Sequence, residues 1–152
     1  QKGRLDVALV LEPELHDEVE VEELAVISHG LYAAIDHPLT KRRELRIAEL
    51  LEEDFVVPPD DEWAVEHRRP VGAQVTDLSM AAELCASSEM LAFLPDFLVE
   101  THPRRGELTR LSVELTREST LYMAFRRPLG RHPRTEAVLE ALRRHAEAFR
   151  KR

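Results

Sequence analysis

The sequence predicts an α/β fold, and three observations carry that prediction. Short, nearly unbroken apolar runs at residues 5–11, 55–57 and 90–94 have the length of strands buried on both faces of a mostly parallel sheet. Between and after them come stretches of helical periodicity: Leu78, Ala81, Ala82 and Cys85, and later a long C-terminal stripe. No internal repeat and no Gly/Ser-rich linker breaks the alternation.

In chain order, residues 5–11 predict the first strand, with Asp6 as its one polar member and a hydrogen-bonded structural carboxylate. An acidic stretch follows, in which Val19, Val21 and Leu24 alternate with acids as in a half-exposed strand. Residues 24–35 are apolar again around Ser28, His29 and Gly30, which fits either one kinked strand or two short ones with the break at Gly30. A basic turn, a short helix near residues 47–51 and a strand at 55–57 come next, stopped by Pro58 and Pro59. Residues 60–68 suggest a short helix and 71–75 a strand. Thr76 or Asp77 caps the helix that ends near Ser87. After the strand at 90–94, Pro95 suits a first helical turn. Strands at 108–113 and 121–125 precede a final helix with Val138, Leu142, His145 and Phe149 in one stripe, flanked by Leu139 and Ala146.

The 152 residues suffice for one well-buried domain or two small lobes, and at 43% apolar and 33% charged they exclude disorder. No run approaches the roughly 18 apolar residues of a membrane helix. No signal peptide is read at the N-terminus. The lone Cys85 excludes an internal disulfide, fits a reducing cytoplasm and reads as a small buried hydrophobe. Net charge is −8, but residues 1–102 hold 8 Lys/Arg against 23 Asp/Glu, while 103–152 hold 13 against 6. The basic residues are spread with few aromatics among them, so pairing between segments explains them better than a nucleic-acid face.

Four blocks carry a resemblance. GRLDVAL at 3–9, DHPLT at 36–40 with ELRIAELLEEDFVVPP at 44–59, VTDLSMAAELCASSEMLAFLP at 75–95, and GELTRL, LYMAFRRP and a terminal helix are together similar in type, order and spacing to the effector domain of LysR-type bacterial transcription regulators. The resemblance implies a two-lobed fold like that of type 2 periplasmic binding proteins, with a first lobe at 1–33 plus 127–152, a second at 34–126, and a small effector between them. The family's winged helix-turn-helix, and the strand and helix that open its effector domain, have no counterpart in this sequence, so the first lobe is expected to be incomplete. Ser88 and Met90 stand where the family has a Gly-x-Gly turn.

In such a fold the ligand meets the carboxyl ends of strands and the helix N-termini. The candidate effector residues are therefore Val10 and Leu11, then Pro58, Pro59, Asp60 and Trp63, then Thr76 and Asp77, and finally Leu94 and Pro95. Acids near Asp60 and Asp61 favour a neutral or cationic ligand over an anion. The histidines lack the spacing of a zinc site, no cofactor motif or nucleophile elbow occurs, and no enzyme is expected. The expected function is effector sensing in a cytoplasmic regulator that forms a homodimer or higher oligomer and meets DNA only through a domain outside this chain. The alternatives are a solute-binding protein of the same fold and an interaction module without ligand.

Overall fold

The computed structural model describes residues 6–59, 61–63, 68–115, 117–127 and 132–150, the last two without their side chains. Contacts divide the chain into two compact units, Gln1–Ile27 with Ser119–Arg152, and Ser28–Glu118. The expected lobe divisions were 33/34 and 126/127.

In the first unit, strand β1 (Val7–Val10) pairs antiparallel with β7 (Arg117–Arg126), Val7 opposite Phe125 and Val10 opposite Tyr122. β7 lies between β1 and the opening half of β2 (Val19–Ala34). Helix α4 (Pro133–Arg150) sets Leu139 and Ala146, seven residues apart, with Leu142 against Leu24, Met123 and Phe125. The expected stripe is therefore turned by about one residue: Val138 and His145 are exposed, and the side chain of Phe149 lies outside the described residues. The expectation of β1 as a strand buried on both faces also fails, since Leu9 is 49% exposed and β7 is its one partner among the described residues. Asp6 lies exposed ahead of the strand instead of hydrogen-bonded within it. The anticipated pairing of acidic and basic segments is present here, where Arg143 donates to both oxygens of Glu22 at 2.9 and 2.8 Å.

The second unit is built on a sheet ordered β2, β5 (Leu91–Pro95), β3 (Phe55–Val57), β4 (Val71–Gln74), with β6 (Leu108–Arg110) on the other edge of β2. β3 is parallel to β4 and β5, while β2 pairs antiparallel with β5 and β6. The mostly parallel sheet is thus corrected to a mixed one. β2 is continuous and Gly30 does not break it. Its glycine answers a different need: a β-carbon there would stand on the Arg110 guanidinium.

Alternation along the central strands separates two cores. Leu31, Ala33, Phe55, Leu91 and Phe93 point to one face, joined by Leu45, Leu50, Leu111 and Leu115. Tyr32, Val56, Ala92 and Leu94 point to the other, under α2 (Leu78–Ala86) and α3 (Asp96–Thr101). Because β5 is buried along its whole length, cutting Phe93 to alanine is expected to cost about 3–5 kcal/mol. α2 opens where the Asp77 carboxylate accepts the Met80 N–H at 2.7 Å. At the turn after it, Ser88 Oγ donates to the Leu84 carbonyl at 2.6 Å and accepts the Met90 N–H at 3.2 Å, so the hydroxyl ties the turn to the end of the helix. Short helix α1 (Ile47–Leu50) is as expected. The helix expected at 60–68 falls mostly outside the described residues, and 61–63 are not helical. Pro95 ends β5 and caps α3, which begins at Asp96 and not at the proline.

Three His-Pro steps share one local geometry. In each, the imidazole Nδ1 accepts the N–H two residues on: His37 from Leu39 (3.1 Å), His102 from Arg104 (3.1 Å) and His132 from Arg134 (3.2 Å). Pro38 and Pro133 supply the fixed φ of a first helical residue, Pro103 stands in a turn, and in each step the ring takes a donor that would otherwise be left unpaired.

Candidate functional site

Strands β4, β3 and β5 are parallel neighbours, so their carboxyl ends lie on one side of the second unit. Three expected sets of residues meet there: Pro58 and Pro59 after β3, Thr76 and Asp77 after β4, and Leu94 and Pro95 at the end of β5. Pro58, Leu94 and Pro95 are buried, whereas Pro59, Thr76 and Asp77 are exposed. Asp77 is engaged as the α2 cap. Asp60 lies outside the described residues.

Trp63 does not join that end. It packs on the sheet face, edge-on to Phe55 (5.1 Å between centroids) and to Phe93 (5.7 Å). Arg69 lies over it, its guanidinium carbon 4.6 Å from the Trp63 ring and 5.1 Å from Phe55, and it pairs with Asp61. The acidity expected of this loop is therefore offset, by Arg69 at Asp61 and by Arg117 at Glu62, 2.9 Å away. Val10 and Leu11 belong to the first unit, at the end of β1. That unit also holds a cavity of about 550 Å³ lined in part by Asp6, His16, Asp17, Glu18 and Arg126, and neither Val10 nor Leu11 lines it.

Sequence reasoning missed a polar cluster beside Pro95. In the antiparallel register His29 stands opposite Pro95. Its ring is buried and stacks on Phe93 at 5.7 Å. Desolvation by burial lowers its pKa, so the imidazole is neutral at pH 7; a main-chain hydrogen bond at Arg117 and the nearby Glu62 and Asp96 carboxylates oppose that shift. Three residues along β2 and on the opposite face of the sheet, the Tyr32 hydroxyl donates to Asp96 Oδ1 at 2.6 Å. Burial first, then Asp96, raises the phenol pKa. Arg110 Nε donates to the same Asp96 oxygen at 3.2 Å and its Nη2 to the His29 carbonyl at 3.3 Å, crossing the bare backbone of Gly30. The one available signal was a glycine set between two large side chains in a strand.

Two groups with a catalytic appearance are inert. Cys85 is fully buried, and desolvation lifts its thiol pKa to about 12, in keeping with its reading as a small hydrophobe. Ser79, His102 and Glu83 are adjacent, yet His102 Nδ1 is occupied by the Arg104 N–H, and its Nε2 alone faces both Ser79 Oγ (3.3 Å) and Glu83 (3.7 Å). A proton cannot pass from serine through that ring to the carboxylate.

Among solved structures, the chain is similar to the CcmR regulatory domain of Synechocystis, solved in complex with 2-PG, at 17% identity and TM-score 0.76, covering 94% of this chain and 74% of that one. It is similar to the regulatory domain of MetR, a LysR family regulator from N. meningitidis, at 21% identity and TM-score 0.68, covering 95% and 74%. The effector binding domain of QuiR in complex with shikimate gives 15%, 0.70, and coverage of 95% and 73%. The chain thus spans about three quarters of each of these structures, which share its fold. No curated protein matches the sequence at a significant level. The sequence pattern of the LysR substrate binding domain matches residues 1–147, and on that match the chain belongs to the LysR substrate binding domain family.

Proposed function

We propose that this chain senses a small organic effector for a LysR-type transcription regulator. The family match over residues 1–147 carries the reading. The CcmR and QuiR domains that share the fold were solved with 2-PG and shikimate, which supports a ligand of that size. In the second unit the effector contacts the carboxyl ends of the parallel strands, at Pro58, Pro59, Thr76, Asp77, Leu94 and Pro95. Offset of the loop acids by Arg69 and Arg117 favours a neutral polar ligand on the side of the second unit. The protein acts by binding and not by turnover, in the cytoplasm, as a homodimer or higher oligomer whose DNA contact belongs to another part of the regulator.

A thermal-shift screen of amino acids, aromatic acids, sugars and short phosphorylated acids tests it. A ligand present at about 100 times its Kd raises stability by about 2.7 kcal/mol, well above the noise of such a screen. A set that leaves Tm unmoved throughout counts against effector sensing. Sedimentation velocity tests the oligomer, and a monomer at every concentration excludes it.

A further inference from the structure

We infer that Arg69 and Trp63 form a second small-molecule site in the second unit, where Arg69 Nη1 donates a hydrogen bond to the carbonyl oxygen of a flat, uncharged ligand lying against the Trp63 ring. The site is distinct from the carboxyl ends of the strands, so it stands or falls apart from the effector reading.

Among the described residues, two buried side-chain nitrogens have no hydrogen-bond partner, Nδ1 of His29 and Nη1 of Arg69. An imidazole nitrogen donates in one tautomer and accepts in the other, so His29 does not identify the group that would meet it. A guanidinium leaves no such choice: it stays protonated, each of its nitrogens carries hydrogen, and it has no acceptor. The missing partner of Arg69 is therefore an acceptor atom. The side chain is 5% exposed, and a charged donor left dry without an acceptor is costly. In native proteins such a group is met by a ligand, an ordered water or a functional partner.

The rest of the guanidinium is accounted for. Nη2 pairs with Asp61, and the guanidinium carbon stands over the rings of Trp63 and Phe55. Ring faces offset the charge of a cation, but they are poor hydrogen-bond acceptors and leave the need of Nη1 unmet. The side chain is also held in place. Pro70 fixes the backbone immediately after it, and the Pro70 carbonyl accepts the Phe55 N–H at 2.9 Å, which ties Arg69 to the amino end of β3. That end is opposite the one followed by Pro58 and Pro59.

The ligand class follows from the wall and the charge. Trp63 is half-buried and packs edge-on to Phe55 and Phe93, so part of an aromatic wall stays within reach of solvent beside the guanidinium. The charges around it cancel, Asp61 paired with Arg69 and Glu62 with Arg117. A carboxylate ligand would set a third negative charge against two cations, whereas a carbonyl oxygen meets Nη1 and leaves the balance as it is.

The test uses the full 152-residue chain, in which Trp63 is the only tryptophan. The probes are benzamide, toluene, which lacks the carbonyl, and benzoate, which adds a charge. Benzamide is expected to shift Trp63 emission saturably, to move the 15N resonance of Arg69 Nη1, and to bind about tenfold more tightly than either of the others. Arg69→Lys keeps a cation for Asp61 but has no Nη1, and it is expected to bring benzamide down to the affinity of toluene. Should that variant fail to fold, the Nη1 resonance of the unaltered chain decides by itself. Equal affinity for benzamide and toluene overturns the inference, and so does benzoate binding as tightly as benzamide. An Nη1 resonance that no probe moves marks a nitrogen met by water only, and overturns it as well. Neither readout involves the carboxyl ends of the strands, so a failure here leaves the effector reading standing.

Discussion

The guanidinium of Arg69 stands 4.6 Å from the centre of the Trp63 ring, and its side chain is 5% exposed. A cation so covered has lost much of its hydration and relies on Asp61 and on the ring faces of Trp63 and Phe55. Arg69→Met keeps the apolar stem and removes the charge, and it is expected to cost about 1–3 kcal/mol through the stranded Asp61 and the lost ring contacts. Trp63 is the only tryptophan of the chain, so its fluorescence reports the change directly. An unaltered emission spectrum and an unaltered urea midpoint would show that the guanidinium adds nothing here.

His37→Ala removes the acceptor that closes the His-Pro-Leu turn, along with the Nε2 bond to the Glu89 carbonyl at 3.0 Å. The expected loss is about 1–2 kcal/mol, in the range of a helix N-cap. His37→Asn retains a short side-chain acceptor and recovers part of it. Equal midpoints for the two variants in chemical denaturation would assign the effect to packing and not to the cap.

Gly30→Ala places a methyl group where the Arg110 guanidinium now lies, and is expected to cost about 1 kcal/mol as Arg110 gives up Asp96 and the His29 carbonyl. In an Arg110→Ala background the same substitution is nearly neutral. A double-mutant cycle measures this coupling, and simple additivity contradicts it.

Glu22 is held below the usual carboxylate range, first by its hydrogen bonds from Arg143 and then by that residue's charge. A depressed pKa in the folded state contributes stability above the unfolded value near 4.5, and the contribution is lost as pH falls through the folded value. Both side chains are more than a third exposed, so the contribution is under about 1 kcal/mol. Arg143→Ala is therefore expected to lower Tm slightly at pH 7 and not at pH 3. A difference that persists in acid would place the effect in the packing of the arginine stem.

Sequence alone reached what depends on neighbours in the chain. The run Leu91, Ala92, Phe93, Leu94 is apolar on both faces because both are covered, and Asp77 before Leu78 is a capping pattern that needs no tertiary partner. What it missed depends on residues far apart. Antiparallel pairing of β2 with β5 and β6 has no local signature, and the role of Gly30 is set by Arg110, 80 positions later. The α4 stripe was misplaced by one residue because Val138 and Leu139 are equally apolar, and only the strands beneath decide between them. His29 read as uninformative because its orphaned nitrogen exists only once Phe93 and Pro95 are beside it.

Cys85 is the chain's single thiol, sealed between α2 and the sheet, with Sγ donating to the Tyr32 carbonyl at 3.4 Å. A thiol reagent reaches it only after that layer separates. The rate of its modification, set against that of free cysteine, therefore works as a clock for opening of the second unit, one that needs no label or substitution. Run with and without a bound effector, that clock measures how far the ligand holds the α2 layer closed.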